Sequence, residues 1–242
     1  MEIRAKEKRG KVRIVLQLRA SPGRLAWEEV LTPGRGLVYG ALAEHSPRLG
    51  RELHDAGYGP HRLRPFAFCP PTFPSAPRMA RAYAVGGTGS MAFGSPLLVV
   101  AEAVAKAIAG RRVLHWGSAA LEVRAVAAVD PPRFLTGQAE WYTATPVVVK
   151  GGHPDRFLLP GDPGWLDGLR GNLQRKAATL GLDDAVEVEL VWAGARRLFR
   201  VDGSARIGAP VTVRALAAPE TLAAVWSWGL GQANSAGFGW IA

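Results

Sequence analysis

Cysteine and long apolar runs are what this 242-residue sequence most lacks. Cys69 is its only cysteine, which excludes an internal disulfide framework and a thiolate metal cluster and agrees with a cytoplasmic location. No apolar run approaches the roughly 20 residues that span a bilayer, so we expect no membrane partner. The basic residues at the N-terminus have no apolar segment behind them, and we therefore expect no secretory signal.

Acidic residues are also scarce relative to basic ones. The chain has 30 lysines and arginines against 20 aspartates and glutamates, which gives a net charge of +10 at pH 7. Such an excess favours a polyanionic partner, because basic side chains neutralise phosphates and release their counterions. Only six of the basic residues are lysine, and a GC-rich genome would raise the arginine content without any link to binding. Charge alone therefore favours nucleic acid without identifying it.

Motifs for metals and nucleotides are absent as well. The five histidines include no pair at metal-ligand spacing near a cysteine or carboxylate set, and no pair of acidic motifs marks a two-metal nuclease. No Gly-Lys-Ser/Thr loop for nucleoside triphosphates occurs. We therefore expect neither a metal nor a cofactor. Cleavage of RNA needs no metal when a general base takes the 2′-hydroxyl proton and a general acid protonates the 5′-oxygen, and histidine and tyrosine suit both tasks.

Apolar spacing in the first half of the chain predicts a β-α-β-β-α-β order, which is typical of a ferredoxin-like domain. A helix over residues 34–54 is expected to break near Ser46-Pro47. A second helix over residues 96–109 is expected to have Ser95 as its N-cap and to end at Gly110. The predicted strands are residues 12–18, a short strand from Phe66 that Pro70-Pro71 ends, a hairpin of residues 80–85 and 90–93 around Gly86-Gly87, and residues 121–129.

The run Asp130-Pro131-Pro132 is a natural domain boundary, since prolines interrupt regular structure. The pattern partly recurs after it, with strands predicted at residues 141–149, 186–192, 197–201, 211–216 and 240–242 and helices at 163–180 and 217–228. We therefore predict an α+β protein of two tandem ferredoxin-like (RRM-like) βαββαβ domains, residues 1–129 and 130–242. The second half has one strand more than the ideal pattern.

A glycine-rich segment, residues 229–239, is the most distinctive part of the sequence. Gly229, Gly231, Gly237 and Gly239 follow the pattern G-x-G-x5-G-x-G directly after a predicted helix. Glycines at this density permit positive φ and a close approach to a ligand, whose phosphate successive N–H groups can cradle. The dinucleotide-binding fingerprint is excluded, because it needs a further βαβ unit and only three residues remain. The alternative is a plain turn between the last helix and the last strand.

Three stretches together resemble one family, the CRISPR-associated endoribonucleases that process repeat RNA, which is the sixth Cas family of the RAMP superfamily. They are residues 37–54 (LVY to LH), residues 64–68 (RPFAF) and residues 228–239 (WGLGQANSAGFG). The last stretch is the most specific, because family members end with this glycine spacing and commonly have Asn-Ser before the second glycine pair, here Asn234 and Ser235. Residues 145–149 also look like the apolar strand that opens the family's second domain.

The resemblance implies a metal-independent cut within each CRISPR repeat, in which the 2′-hydroxyl attacks and leaves a 2′,3′-cyclic phosphate and a 5′-hydroxyl. His54 matches the catalytic histidine, Tyr39 the catalytic tyrosine upstream of it, and Arg64 the basic residue, often lysine, before the Phe-x-Phe strand. An arginine keeps the charge but cannot donate a proton, so Arg64 would act only electrostatically. His61 and Arg62 lie three and two residues before Arg64, so either of them could instead match the family's basic position. Which of His54 and Tyr39 is the acid stays open.

The expected partner is CRISPR repeat RNA, the precursor of crRNA. Other Cas proteins of an effector complex and a second copy of the chain are further candidates. The segment 229–239 is expected to hold the RNA, together with three basic residues that could equally be solvated: Lys150, Arg175 and Lys176. A non-catalytic RNA-binding subunit of a CRISPR effector complex is the main alternative, although such a subunit needs no Tyr39, His54 and Arg64. A small-molecule enzyme on the same scaffold leaves the terminal glycines unexplained.

Overall fold

The computed structural model describes residues 12–153, 156–201 and 203–242. The chain forms two halves, each of which packs helices on an antiparallel sheet. The predicted fold class, α+β with two ferredoxin-like halves, is confirmed. The division of the sequence at residue 130 stays a prediction.

The first half consists of β1 (Val12–Leu25), α1 (Trp27–His45), α2 (Pro47–Asp55), β2 (Ala67–Thr72), β3 (Tyr83–Ser95), α3 (Leu98–Ala109), β4 (Val113–Trp116) and β5 (Ala119–Val129). Its strands form one sheet in the order β2-β3-β1-β5-β4. Leu16 and Leu18 of β1 are fully buried while Gln17 between them is exposed, which is the period of two expected of a strand with one covered face.

The long helix predicted in the first half breaks where expected. α1 ends at His45, and α2 begins at Pro47, because the fixed φ of a proline suits the first position of a helix. α1 starts earlier than predicted, at Trp27, and contains Pro33. At Gly34 the lack of a side chain lets α1 lie against the ring of Phe68, where a Cβ atom would clash. The break at Pro47 lets α2 pack beside α1.

The hairpin predicted around Gly86-Gly87 is wrong. Residues 83–95 form the single strand β3, which pairs with β1 on one side and β2 on the other. The two glycines lie where the β1 register shifts between Ala20 and Gly23, so they mark a bulge and not a turn. Pro70-Pro71 does not end β2 either, because β2 is an edge strand, where prolines are tolerated.

Two further details of the first half differ from the prediction. The N-cap position of α3 is Leu97 and not Ser95, whose hydroxyl donates to the Pro65 carbonyl at 2.5 Å and accepts from the Leu97 N–H at 3.0 Å. β4 was not predicted. Only two of its four residues are buried, so its apolar pattern is too short to stand out.

The second half consists of β6 (Gln138–Tyr142), β7 (Val149–Lys150), β8 (Phe157–Leu158), α4 (Trp165–Thr179), β9 (Glu187–Ala193), β10 (Arg197–Val201), β11 (Ser204–Gly208), β12 (Val211–Leu216) and α5 (Pro219–Trp228), followed by a 3-10 turn (Asn234–Ala236). Its main sheet has the order β6-β12-β9. The last residues of the chain pair with the far side of β6 through a bridge between Thr143 and Ile241. The resulting order, β9-β12-β6 and then the C-terminus, repeats the order β2-β3-β1-β5 of the first half.

The single strand predicted over residues 141–149 is wrong. β6 ends at Tyr142 and β7 begins at Val149, and the residues between them make only isolated bridges, such as Val147 to Ala209 and Val148 to Gln232. The additional strand noted in the sequence belongs to a hairpin, β10 and β11, that is inserted between β9 and β12. The predicted last strand is reduced to the bridge at Ile241.

Each half has its own apolar core, and the two halves also share buried contacts. The guanidinium of Arg13 on β1 lies between the rings of Trp226 and Trp240, at 3.8 and 4.2 Å from their centroids, and donates to the Trp226 carbonyl at 2.6 Å. Phe238 of the glycine-rich segment is fully buried in the core of the first half. The halves are therefore joined by a cation–π contact and by apolar packing. None of the helices in the described ranges is both long and apolar enough to cross a membrane.

Candidate active site

Tyr39 and His54 meet where α1 and α2 pack together. Their ring centroids are 5.2 Å apart at an interplanar angle of 77°, an edge-to-face contact. Leu53 is fully buried and anchors the last turn of α2, so His54, the next residue, points outward and its side chain is 61% exposed. The Tyr39 hydroxyl lies 3.3 Å from the Leu53 carbonyl, to which it donates.

Arg64 joins this pair from the segment that precedes β2. Its Nε donates to the Tyr39 hydroxyl at 3.2 Å, and its Nη2 donates to the His54 carbonyl at 2.9 Å. Arg62, the neighbour that could have replaced it in the sequence pattern, donates instead to the Ala56 carbonyl at 3.2 Å. The fold therefore brings Tyr39, His54 and Arg64 into direct contact, and Arg64 is the basic residue that reaches the other two.

An open cavity of about 270 Å³ lies beside Tyr39 and His54. Arg51 and Asp55 of α2 also line it, and neither was singled out in the sequence. His54 Nδ1 lies 2.8 Å from Asp55 Oδ1. In the tautomer whose Nδ1 proton is donated to Asp55, Nε2 keeps a lone pair and can accept a proton from a ligand. In the described part of the chain, this site included, no group of three or more His, Cys, Asp or Glu side chains is placed to hold a metal ion.

The glycines of the segment 229–239 are needed by the fold itself. Gly229, Gly231, Gly237 and Gly239 all have positive φ, between 65° and 89°. A Cβ atom at Gly231 would lie 2.6 Å from the Val148 carbonyl oxygen, and one at Gly237 would lie 2.8 Å from the side chains of Leu31 and Phe68. Any other residue would therefore be strained in its backbone and would collide with its neighbours.

The backbone N–H groups of this segment mostly bond within the protein. Gly229 donates to the Val225 carbonyl at 2.6 Å, Gly237 to Asn234 at 2.9 Å, and Gly239 to Pro146 at 2.8 Å. These three N–H groups cannot also cradle a phosphate, so a phosphate cradle built from the glycines is wrong at these positions. The glycines shape a segment that docks on both halves.

Lys176 and Asn234 are buried, and they are therefore not surface contacts for RNA as predicted. Lys176 Nζ donates to the Gly229 carbonyl and to Asn234 Oδ1, each at 2.7 Å, and it lies 5.3 Å from the centroid of the Trp228 ring. Asn234 Nδ2 donates to the carbonyls of Leu230 and Phe238. Burial lowers the pKa of Lys176 well below its usual value. Both side chains hold the glycine-rich segment in place from inside.

The other predicted RNA contacts remain accessible. Lys150 on β7 and Arg175 on α4 are exposed, and Ser235 is half-buried in the 3-10 turn. Ser235 and Arg64 line the same small cavity, which places the glycine-rich segment next to the predicted catalytic residues. Sequence spacing could not show this proximity, since Arg64 and Ser235 belong to different halves of the chain.

Comparison with known proteins agrees with this architecture. The model of a family described as CRISPR associated protein Cas6, C-terminal, matches residues 129–242. No curated protein sequence matches the chain significantly.

Solved structures match nearly the whole chain at low sequence identity. A protein from Pyrococcus furiosus encoded by a Cas6-related gene has a TM-score of 0.78 at 18% identity, over 96% of this chain and 98% of that one. A RAMP protein described as binding different RNA substrates has a TM-score of 0.77 at 17% identity, over 95% and 98%. A CRISPR-associated Cas6 protein has a TM-score of 0.75 at 17% identity, over 96% and 98%. The fold is therefore the one these proteins share.

Proposed function

We propose that the chain is an endoribonuclease that cleaves CRISPR repeat RNA, because the family model described as CRISPR associated protein Cas6, C-terminal, matches residues 129–242, in line with the resemblance in the sequence. The observation that carries this proposal is the mutual contact of Tyr39, His54 and Arg64 beside an open cavity. A general acid, a general base and a fixed positive charge are what metal-independent cleavage of RNA requires.

His54 acts as the general base. Its Nδ1 donates to Asp55, which lies 2.8 Å away, and its Nε2 accepts the proton of the 2′-hydroxyl. The freed 2′-oxygen forms a bond to the adjacent phosphorus while the bond from phosphorus to the 5′-oxygen breaks, which leaves a 2′,3′-cyclic phosphate. The positive charge that develops on the imidazole is stabilised by the Asp55 carboxylate. Asp55 is thus a positioning residue, since it acts through His54.

Tyr39 is the general acid that protonates the departing 5′-oxygen, so the second product carries a 5′-hydroxyl. Its own hydroxyl is held by two contacts, to the Leu53 carbonyl and from Arg64 Nε. The Arg64 guanidinium stabilises the negative charge on the phosphorane and on the tyrosine oxygen after proton transfer. An arginine remains charged throughout and takes no part in moving the proton.

The two halves divide the work in this proposal. Residues 1–129 perform the chemistry, and residues 130–242 hold the repeat RNA through exposed groups such as Lys150, Arg175 and Ser235. The net charge of +10 favours such a polyanion. The structural similarity to a RAMP protein described as binding different RNA substrates supports RNA as the partner.

The test is cleavage of CRISPR repeat RNA in the presence of EDTA. We expect the wild-type chain to cut the RNA and His54→Ala to bind it without cutting. His115→Ala removes an exposed histidine from β4 and is the matched control, which should cut like wild type. Binding without cleavage by the wild-type chain would instead support an RNA-binding subunit of an effector complex. Cleavage that requires added Mg²⁺ would contradict the mechanism.

A further inference from the structure

The open cavity beside Tyr39 and His54 has a permanently charged cation of its own. Seven residues in the described part of the chain line this cavity of about 270 Å³, and Arg51 is the only arginine or lysine among them. Arg64, which contacts Tyr39 and His54, lines instead the smaller cavity of about 190 Å³ on the side of the glycine-rich segment. A phosphate that enters the open cavity therefore meets Arg51.

The helix α2 places Arg51 on the same face as His54. The two residues are three apart, and residues at this spacing are neighbours on a helix surface. Gly50 lies against Leu42 of α1, where a Cβ atom would lie 3.1 Å from the Leu42 Cβ, so the two helices approach closely. The side chain of Arg51 consequently lies alongside the contact between His54 and Tyr39, on the wall of the cavity that they share.

The guanidinium of Arg51 is available to a ligand. Arg51 is exposed, and it makes no hydrogen bond, ion pair or ring contact with any residue that the structure describes. Arg64 differs, because its Nε is donated to the Tyr39 hydroxyl and its Nη2 to the His54 carbonyl. All the N–H groups of Arg51 are therefore unspent, and their planar arrangement matches two oxygens of a phosphate.

The charges of the cavity also require a cation at this place. The Asp55 carboxylate lines the same cavity and lies 2.8 Å from His54 Nδ1. A phosphate that approaches His54 brings negative charge towards this carboxylate, and the two repel each other strongly away from bulk water. Arg51 is four residues before Asp55 on the same helix, so its positive charge lies where it can offset that repulsion.

We propose that Arg51 is a catalytic residue that binds a non-bridging oxygen of the scissile phosphate. It holds the phosphate between His54 and Tyr39 and stabilises the negative charge that grows on the phosphorane. Arg64 acts from the other side, where it holds the Tyr39 hydroxyl. No proton moves to or from Arg51, because an arginine stays charged in proteins. The inference rests on the proposed function, since it adds a contact to the same site.

The test neutralises one phosphate of the repeat RNA at a time. An uncharged methylphosphonate replaces each linkage in turn, and the nucleotide on its 5′ side carries 2′-deoxyribose in both the altered and the control RNA. Binding is measured with the full chain carrying His54→Ala, which should leave the RNA intact. Neutralising the linkage that the wild-type chain cuts should weaken binding about tenfold, as the loss of one hydrogen bond to a charged group does.

Arg51→Ala in the same background should remove the penalty at that linkage and leave the effects at the other linkages unchanged. Arg48→Ala is the matched control, because Arg48 is an exposed arginine of the same helix that does not line the cavity, and it should keep the penalty. Both variants should melt close to wild type, since neither side chain has a partner among the described residues.

Cleavage by chains with His54 intact provides a second readout. At saturating RNA, Arg51→Ala should cut repeat RNA about 10²-fold more slowly than wild type, as loss of one charge-stabilising donor does in other active sites. Arg48→Ala should cut at the wild-type rate.

Three results would overturn the proposal: cleavage by Arg51→Ala at the wild-type rate, a penalty at the cut linkage that Arg51→Ala leaves unchanged, or a penalty that it removes only at a different linkage. The last result would place Arg51 on a flanking phosphate. The binding scan needs no cleavage. In a chain that fails to cut, one linkage whose penalty depends on Arg51 would keep the phosphate contact and refute the nuclease. Cleavage with no linkage that depends on Arg51 would do the reverse.

Discussion

The indole N–H of Trp228 donates a hydrogen bond of 2.9 Å to the main-chain carbonyl of Arg64. Trp228 is the last residue of α5 in the second half, and Arg64 is the basic residue of the candidate active site in the first. The ring of Trp228 is buried, and Lys176 Nζ lies over its face, 5.3 Å from the ring centroid. The second half thus holds the main chain of a residue whose side chain the proposed chemistry needs.

Trp228→Phe removes this donor and keeps most of the ring. We expect the change to cost about 1–2 kcal/mol of unfolding free energy, because the Arg64 carbonyl loses its partner. Cleavage under single-turnover conditions should slow by about tenfold while RNA affinity changes little, since a small misplacement of a catalytic group is costly. Trp192→Phe, at an exposed tryptophan of β9, is the control. Equal rates for both variants would show that the bond does not position Arg64.

Arg64→Ala should lower the cleavage rate at saturating RNA by roughly 10²–10³-fold, as loss of one charge-stabilising donor does in other active sites. Arg64→Lys keeps the charge but loses the two separate donor nitrogens, Nε and Nη2, that reach Tyr39 and His54, so it should retain only part of the activity. Arg62→Ala should leave the rate at saturating RNA close to wild type, because Arg62 contacts neither Tyr39 nor His54. A larger loss from Arg62→Ala than from Arg64→Ala would move the catalytic role to Arg62.

Much of the candidate site could be predicted from the sequence because its residues lie close together along the chain. Tyr39, His54 and Arg64 lie within 26 residues, and the break at Pro47 follows from the chemistry of proline alone. Asp55, which lies beside His54, carried no such pattern. Arg64 and Trp228 are 164 residues apart, and no spacing rule relates the segment before β2 to the last residue of α5.

The burial of Lys176, by contrast, could have been predicted from the sequence. It stands seven residues after Leu169 and three after Leu173, both of which are fully buried, so the helical period places it on the buried face of α4. Arg175, one residue earlier, is exposed for the same reason. The pairing of β3 could not be predicted, because a Gly-Gly pair such as Gly86-Gly87 is equally compatible with a bulge and with a turn.

The stability contributed by Lys176 should depend on pH. Its pKa is lowered in the folded protein and returns to about 10.5 on unfolding, so the unfolded chain binds more protons between those two values. The unfolding free energy of wild type should therefore rise with pH across that window and be independent of this group below it. Lys176→Met lacks the titrating group and leaves the Gly229 carbonyl and Asn234 Oδ1 unpaired, at a cost of about 1–3 kcal/mol.

Urea denaturation of wild type and Lys176→Met at several pH values between 6 and 10 measures this effect. The difference in unfolding free energy between the two proteins should grow as the pH rises. A constant difference would mean that Lys176 has the same pKa in both states.

Gly237→Ala should destabilise the fold and not merely weaken RNA binding. The added Cβ meets Leu31 and Phe68 at 2.8 Å, and the positive φ of 85° adds backbone strain of about 1–3 kcal/mol. Gly87→Ala is a matched control, because Gly87 also has a positive φ, of 76°, but has no atom within 4 Å of the added Cβ. Thermal melting should show a clearly larger loss for Gly237→Ala. If both variants melted alike but only Gly237→Ala lost RNA binding, the segment would hold RNA through its glycines after all.

The most direct test of the account is end-group analysis of repeat RNA cut by the wild-type chain in EDTA. A 2′,3′-cyclic phosphate on one product and a 5′-hydroxyl on the other, both absent with His54→Ala, are the ends that attack by the 2′-hydroxyl at Tyr39, His54 and Arg64 predicts. A 3′-hydroxyl with a 5′-phosphate would show that water or a metal-bound hydroxide is the nucleophile, and it would contradict the assignment of these residues.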